Sequence, residues 1–134
     1  MRGQAAIEYF VVVGLVIIFM IPLWSYMVAT QDDVGQEVSL SYAQTAAKQI
    51  ADASSLVHSQ GYPAKINIRV YIPEGVLNVS LAQKTVSFNI TYRDLVTDVW
   101  SKSNTDLNGT IPTNEGYYNF DIQSMNTYVQ INQV

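Results

Sequence analysis

The hydrophobic and polar positions of the chain follow two different patterns, one near its start and one in its later part. An uncharged and mostly apolar run covers residues 9–31. As a helix rising ~1.5 Å per residue it would be roughly 35 Å long, enough to cross the ~30 Å hydrocarbon layer of a bilayer. The pattern therefore predicts a membrane-spanning helix, with Arg2 on the cytoplasmic side and Asp32 and Asp33 outside.

Helical periodicity continues beyond the apolar run to about residue 57. The apolar side chains of this second half fall within a ~120° arc at 100° per residue, which is typical of a helix with one face on a core. They are Val38, Tyr42, Ala46, Ile50, Ala53, Leu56 and Val57. We therefore expect segments 4–31 and 32–58 to form one helix of ~54 residues, roughly 80 Å long. Three residues inside it favour a bend or a weak point: Gly14, Pro22 and Gly35.

After the helix the period changes to two. Gly61 and Pro63 predict a turn, and strict alternation over residues 65–72 predicts a strand with one apolar face. Similar alternation recurs at residues 77–81, 86–92, 118–122 and 127–131. Short turns between such strands predict an antiparallel meander. The fold class predicted is α+β, with a long N-terminal helix packed on a small antiparallel β head that comprises residues 59–134.

Two segments of the head lack a clear period. Residues 94–100 are compatible with a short strand or with a turn. Residues 101–116 are rich in Asn, Thr, Asp, Gly and Pro, and they are expected to form an exposed loop.

Composition excludes several classes of function. The net charge is −4 and no basic run occurs, which argues against a nucleic-acid partner. The chain has no cysteine, so it has no disulfide framework and no thiolate metal site. Only 13% of the residues are charged, so the polar surface consists mainly of Ser, Thr, Asn, Gln and Tyr. Such a surface is more typical of an extracellular protein than of a cytosolic one.

The residues that could carry chemistry are few. The single histidine, His58, falls at the predicted helix end, where capping or solvation is the usual role of such a residue. Asp94 and Asp98 could be read as a carboxylate pair, although a solvated loop or edge strand is the more usual setting of such residues. No nucleophile, phosphate loop or metal-ligand set accompanies them. We therefore expect neither enzymatic activity nor a cofactor.

Three Asn-X-Ser/Thr sequons are the second kind of candidate site. They begin at Asn78, Asn89 and Asn108. The first two fall on the polar faces of predicted strands and the third in the predicted loop, so all three are positions where a glycan could stand. N-glycosylation requires export, which an N-terminal anchor would supply.

The carboxylate of Glu8 does not suit the start of a membrane helix, because an unpaired charge in lipid costs several kcal/mol. The surrounding residues are Arg2-Gly3-Gln4-Ala5-Ala6-Ile7-Glu8-Tyr9-Phe10, followed directly by Val11-Val12-Val13-Gly14-Leu15-Val16-Ile17-Ile18-Phe19-Met20. This sequence resembles the class III signal peptide of type IV pilin-like proteins, and it looks most like that of archaeal type IV pilins.

The resemblance implies that a prepilin peptidase removes a leader, residues 1–3, by cutting between Gly3 and Gln4. Glu8 would then be the fifth residue of the mature chain, where the family carries its glutamate. In a filament its carboxylate would meet the new amine of Gln4 in its own or a neighbouring chain. Such pairing offsets desolvation and fixes the register of the subunits.

The resemblance thus implies a structural subunit of an extracellular archaeal type IV pilus. It would be inserted in the membrane first, then polymerised through its N-terminal helix by the pilus assembly machinery, and it would serve adhesion or surface contact. The Gly-rich start of archaellins is missing, so an adhesive filament fits better than a swimming one. Two alternatives remain: a minor pilin at the tip or priming complex, and a monomeric membrane-anchored extracellular binding module. A cleaved secretory signal fits poorly, because the apolar run is too long.

Overall fold

The computed structural model describes residues 2–134; Met1 and the side chain of Arg2 lie outside the described part, so the predicted leader 1–3 is only partly covered. One helix, α1, extends over Arg2–Gln60. Its helical assignment continues through all three predicted weak points, Gly14, Pro22 and Gly35. The chain divides into two compact units, one ending at Gly35 and one beginning at Gln36. Each unit is described by itself.

The second unit contains the C-terminal part of α1 and all the described strands. The strands are β1 (Lys65–Ile72), β2 (Val76–Ala82), β3 (Thr85–Tyr92), β4 (Leu95–Lys102), β5 (Asp106–Gly109), β6 (Gly116–Met125) and β7 (Tyr128–Gln133). They form a four-stranded sheet in the order β1-β6-β7-β5 and a three-stranded sheet in the order β2-β3-β4. Every pair is antiparallel except β5 with β7. The predicted α+β fold is confirmed, with the strands in two sheets and one parallel pair.

A glycine ends the helix, as the sequence indicated, but two residues later than the predicted boundary at His58. Gly61 has a φ of 78°, in the left-handed region that favours glycine. Its N–H lies 3.2 Å from the carbonyl of Val57 and 3.1 Å from that of His58. This arrangement satisfies carbonyls of the last helical turn that would otherwise lack a partner.

The sequence prediction for residues 101–116 was wrong. This segment completes β4 and contains β5, and several of its side chains are buried: Ser103, Thr105, Leu107 and Ile111. Backbone pairing explains the difference, because β5 lies parallel to β7 and the N–H of Leu107 donates to the carbonyl of Gln83 at 2.7 Å. The ambiguous residues 94–100 belong to the β3–β4 hairpin.

The buried face of α1 also differs from the predicted arc. Val38, Tyr42 and Leu56, all on that arc, remain 45–48% exposed. The buried face shares Ala46, Ile50 and Val57 with that arc, and it extends to small side chains that lie off the arc: Ala43, Ala47, Ala51 and Ser54. Alanine lets a helix backbone approach a neighbouring element closely, and close packing of this kind excludes voids. The large apolar residues therefore shifted the predicted face away from the alanines, and the prediction is confirmed only at the three shared positions.

Strand residues supply the remainder of the core. Alternate positions of β1, β3, β6 and β7 point inwards; most of them are fully buried, with Phe88 and Phe120 as the largest side chains, whereas Ile66, Ile68 and Tyr118 are partly buried against them. At the β3–β4 turn, Arg93 and Asp94 have φ of 49° and 61°, as both central residues of a type I′ hairpin require. The backbone N–H of Arg93 donates to Oε1 of Gln36 at 2.7 Å, which joins this turn to the helical part of the second unit.

Candidate assembly surface on the N-terminal helix

The first unit presents an uninterrupted apolar helix surface to its surroundings. All the large hydrophobic side chains between residues 7 and 28 are exposed, from 36% at Val13 to 80% at Phe10. The helix is long and apolar enough to cross a membrane, and none of its most apolar window is buried inside the molecule. A soluble monomer rarely exposes a contiguous apolar patch larger than a few hundred Å². This surface is therefore compatible with a membrane-anchoring helix.

The sequence explains why no side of this helix is covered by the chain itself. Residues 9–31 are apolar around the full circumference, so no single stripe exists that could pack against one sheet while the rest faced water. Aromatic residues follow towards the end of the run, and Trp24 and Tyr26 are both 74% exposed. Such amphipathic rings are enriched where a membrane helix reaches the headgroups.

Glu8 is exposed near the start of the same surface, and it is the only acidic residue before Asp32. No described side chain pairs with it. An exposed carboxylate is inexpensive in water, whereas in an apolar surrounding it would be costly without a partner. Gly3 and Gln4, the predicted cleavage junction, are exposed in the first turn of α1.

The second unit carries the three sequons, and the asparagine of each lies in a strand. Asn78 lies on β2 and is exposed, and it is directly opposite Asn89 on β3, which is partly buried. Asn108 is exposed as predicted, but it lies in β5 instead of a loop.

A cluster of tyrosines is a feature that the sequence did not indicate. The rings of Tyr42 and Tyr71 lie 5.1 Å apart edge to face, and Tyr117 lies 4.9 Å from Tyr71. The guanidinium of Arg69 lies 4.6 Å from the centre of the Tyr117 ring. The hydroxyl of Tyr71 donates to the carboxylate of Glu115 at 2.7 Å, and this bond is the main reason why its pKa is raised to about 12. Alternation placed both strand tyrosines on the outer face, but their pairing depends on the β1–β6 register, which no local pattern reveals.

The residues considered for catalysis are not assembled into a catalytic set within the described chain. Asp94 is in the hairpin turn, whereas Asp98 is on β4 and accepts a hydrogen bond from Nδ2 of Asn89. Nδ1 of His58 is buried without a hydrogen-bond partner. Among residues 2–134, no group of three or more metal-ligating side chains is brought together.

Comparisons with protein-family models, with curated proteins and with solved structures found no match to this chain. Function is therefore inferred from the exposed apolar run of α1, from Glu8 at its start and from the resemblance of the N-terminal residues.

Proposed function

We propose that the protein is a pilin, a structural subunit of an extracellular filament of the archaeal type IV pilus kind. The supporting observation is the N-terminal apolar helix, which leaves all its large side chains exposed while a separate unit has a complete core of its own. Identical helices packed side by side would keep this surface out of water once the subunit leaves the membrane. At ~25 cal/mol per Å² of apolar surface, exposing it to water instead would be strongly unfavourable.

Glu8 favours a filament over a permanent membrane anchor. A single anchor in lipid gains nothing from a carboxylate in the first turns of its apolar helix, and it would have to keep that group at the headgroups. In a bundle of identical helices, the carboxylate of one copy meets the amine that cleavage creates on Gln4. A subunit out of register would leave both charges unpaired in an apolar medium, so the pair selects one arrangement.

The pathway that follows has two stages. The precursor is first inserted through residues 9–31, with the β unit outside, and a prepilin peptidase then cuts after Gly3. The assembly machinery next transfers the helix from lipid into the filament core, and the β units form the outer surface that contacts cells or solid supports. No enzymatic step and no cofactor is assigned to the protein itself.

Substitution of Glu8 by alanine tests this proposal in the native cells. We expect that Glu8→Ala precursor is still inserted and still cut after Gly3, and that sheared surface material no longer contains filaments of this protein. Glu37→Ala is the matched control, because Glu37 is an exposed acidic residue on the same helix outside the apolar run. Glu37→Ala should leave filament yield unchanged. Normal filaments from cells with Glu8→Ala would contradict the role given to Glu8. Surface display of the protein without any filament, in wild-type and Glu8→Ala cells alike, would favour the monomeric anchored binding module instead.

A further inference from the structure

Two of the three sequons meet on the outer face of the three-stranded sheet. Asn78 on β2 is directly opposite Asn89 on β3, and Asn89 is directly opposite Asp98 on β4. Residues directly opposite one another in an antiparallel pair have Cβ atoms ~4.5–5.5 Å apart. The three side chains therefore form one polar row across the sheet.

Within this row, the two asparagines have different environments. Asn89 lies on the central strand, is partly buried, and donates from Nδ2 to Oδ1 of Asp98 at 2.6 Å. Nδ2 is also the atom to which an N-linked sugar is attached. Asn78 lies on an outermost strand of the sheet and is exposed, and its carboxamide has no hydrogen-bond partner among the described residues.

The third sequon resembles the first in its environment. Asn108 lies on β5, an outermost strand of the four-stranded sheet, and it is exposed. Its carboxamide has no partner within residues 2–134, and Thr110, the hydroxyl residue of its sequon, is exposed as well.

We propose that Asn78 and Asn108 are N-glycosylation sites, whereas Asn89 is not modified and serves as a structural bond to Asp98. In the transfer, a bond forms between the asparagine Nδ2 and the anomeric carbon of a sugar. The bond from that carbon to the phosphate of a lipid-linked saccharide breaks, and the amide proton is lost with the leaving phosphate. A glycan on Asn89 would occupy the space between Asn78 and Asp98. This proposal depends on the proposed function only in placing the β unit outside the membrane.

The chain offers matched variants that remove each sequon and keep its asparagine. They are Ser80→Ala for Asn78, Thr91→Ala for Asn89 and Thr110→Ala for Asn108. Intact-mass and glycopeptide mass spectrometry of the full-length protein from its own cells should show that Ser80→Ala and Thr110→Ala each lose one glycan. Thr91→Ala should have the same mass as the wild type apart from the substitution itself.

The structural role of the bond between Asn89 and Asp98 can be tested separately, in protein made without glycosylation. Asn89→Ala should lower the midpoint of thermal unfolding, because it removes the bond to Asp98. Thr91→Ala should leave that midpoint unchanged, because the side chain of Thr91 is exposed.

A glycopeptide containing modified Asn89 would overturn the proposal. Unmodified Asn78 and Asn108 would also overturn it if protease added to intact cells digests the β unit, because that unit would then lie outside. A β unit that is protected from protease in intact cells would instead overturn the proposed function, because the head would then not lie outside. The two failures are therefore distinguishable.

Discussion

The buried alanine face of α1 gives the most specific test of the fold. Ala47 is completely buried, and leucine at this position would add three carbon atoms where no free surface exists. Overpacking of a tight core typically costs ~1–3 kcal/mol. The helix propensities of alanine and leucine differ by only about a few tenths of a kcal/mol. For a unit of about 100 residues, 1 kcal/mol corresponds to roughly 4–8 °C. We therefore expect Ala47→Leu to lower the unfolding midpoint by ~5–20 °C.

The assay is thermal unfolding of the full chain in detergent, followed by near-ultraviolet circular dichroism of the tyrosines in the second unit. The matched control is Ala53→Leu, since Ala53 is only partly buried, at the side of the buried face. Its midpoint should change by no more than a few degrees. If Ala47→Leu left the unfolding midpoint unchanged and Ala53→Leu lowered it, the assignment of the buried face would be refuted. The arc predicted from the large apolar residues would then be the better description of that face.

Two further substitutions test the β unit. Folding raises the pKa of Tyr71 to about 12 through its bond to Glu115, so this group contributes stability below its unfolded value near 10. That contribution should be lost as the pH rises through about 12. The unfolding midpoint of the Tyr71→Phe variant should therefore fall less steeply between pH 10 and pH 12 than that of the wild type. Equal falls in the two proteins would contradict the role of the bond. Gly109→Ala should destabilise the protein strongly, because Gly109 has a φ of 143° and a Cβ there would overlap the carbonyl oxygen of Ile131. Denaturant unfolding measures this loss, and an unchanged midpoint would exclude the described contact between β5 and β7.

The parts of the fold that sequence could predict are those that follow from local periodicity. Strict alternation identified β1 with its observed bounds, and uniform hydropathy identified the exposed first half of α1. By contrast, β5 was missed because its stability comes from the backbone of β7, a segment far away in the chain. The buried Ser103 and Thr105 pointed the prediction towards a loop, since polar residues are more often exposed.

The candidate site was also only partly predictable, because only those of its features that follow from local composition and alternation can be read from the sequence. Exposure of the apolar helix follows from its composition, but the partner of Glu8 does not, because the proposed pair requires the processed amine of Gln4 or another copy of the chain. The different environments of the sequons also required the strand register. Asn78 and Asn89 are each on a polar face by alternation, and only the pairing of β3 with β4 commits Asn89 to Asp98.

The most direct test of the central claim is mass spectrometry of the protein's N-terminus in material sheared from the cell surface, combined with electron microscopy of the same sample. We expect thin filaments made of a mature chain that starts at Gln4, with Glu8 as its fifth residue. The account would be contradicted if the chain retained Gly3 and the residues before it, and was found only as a monomer in the membrane fraction.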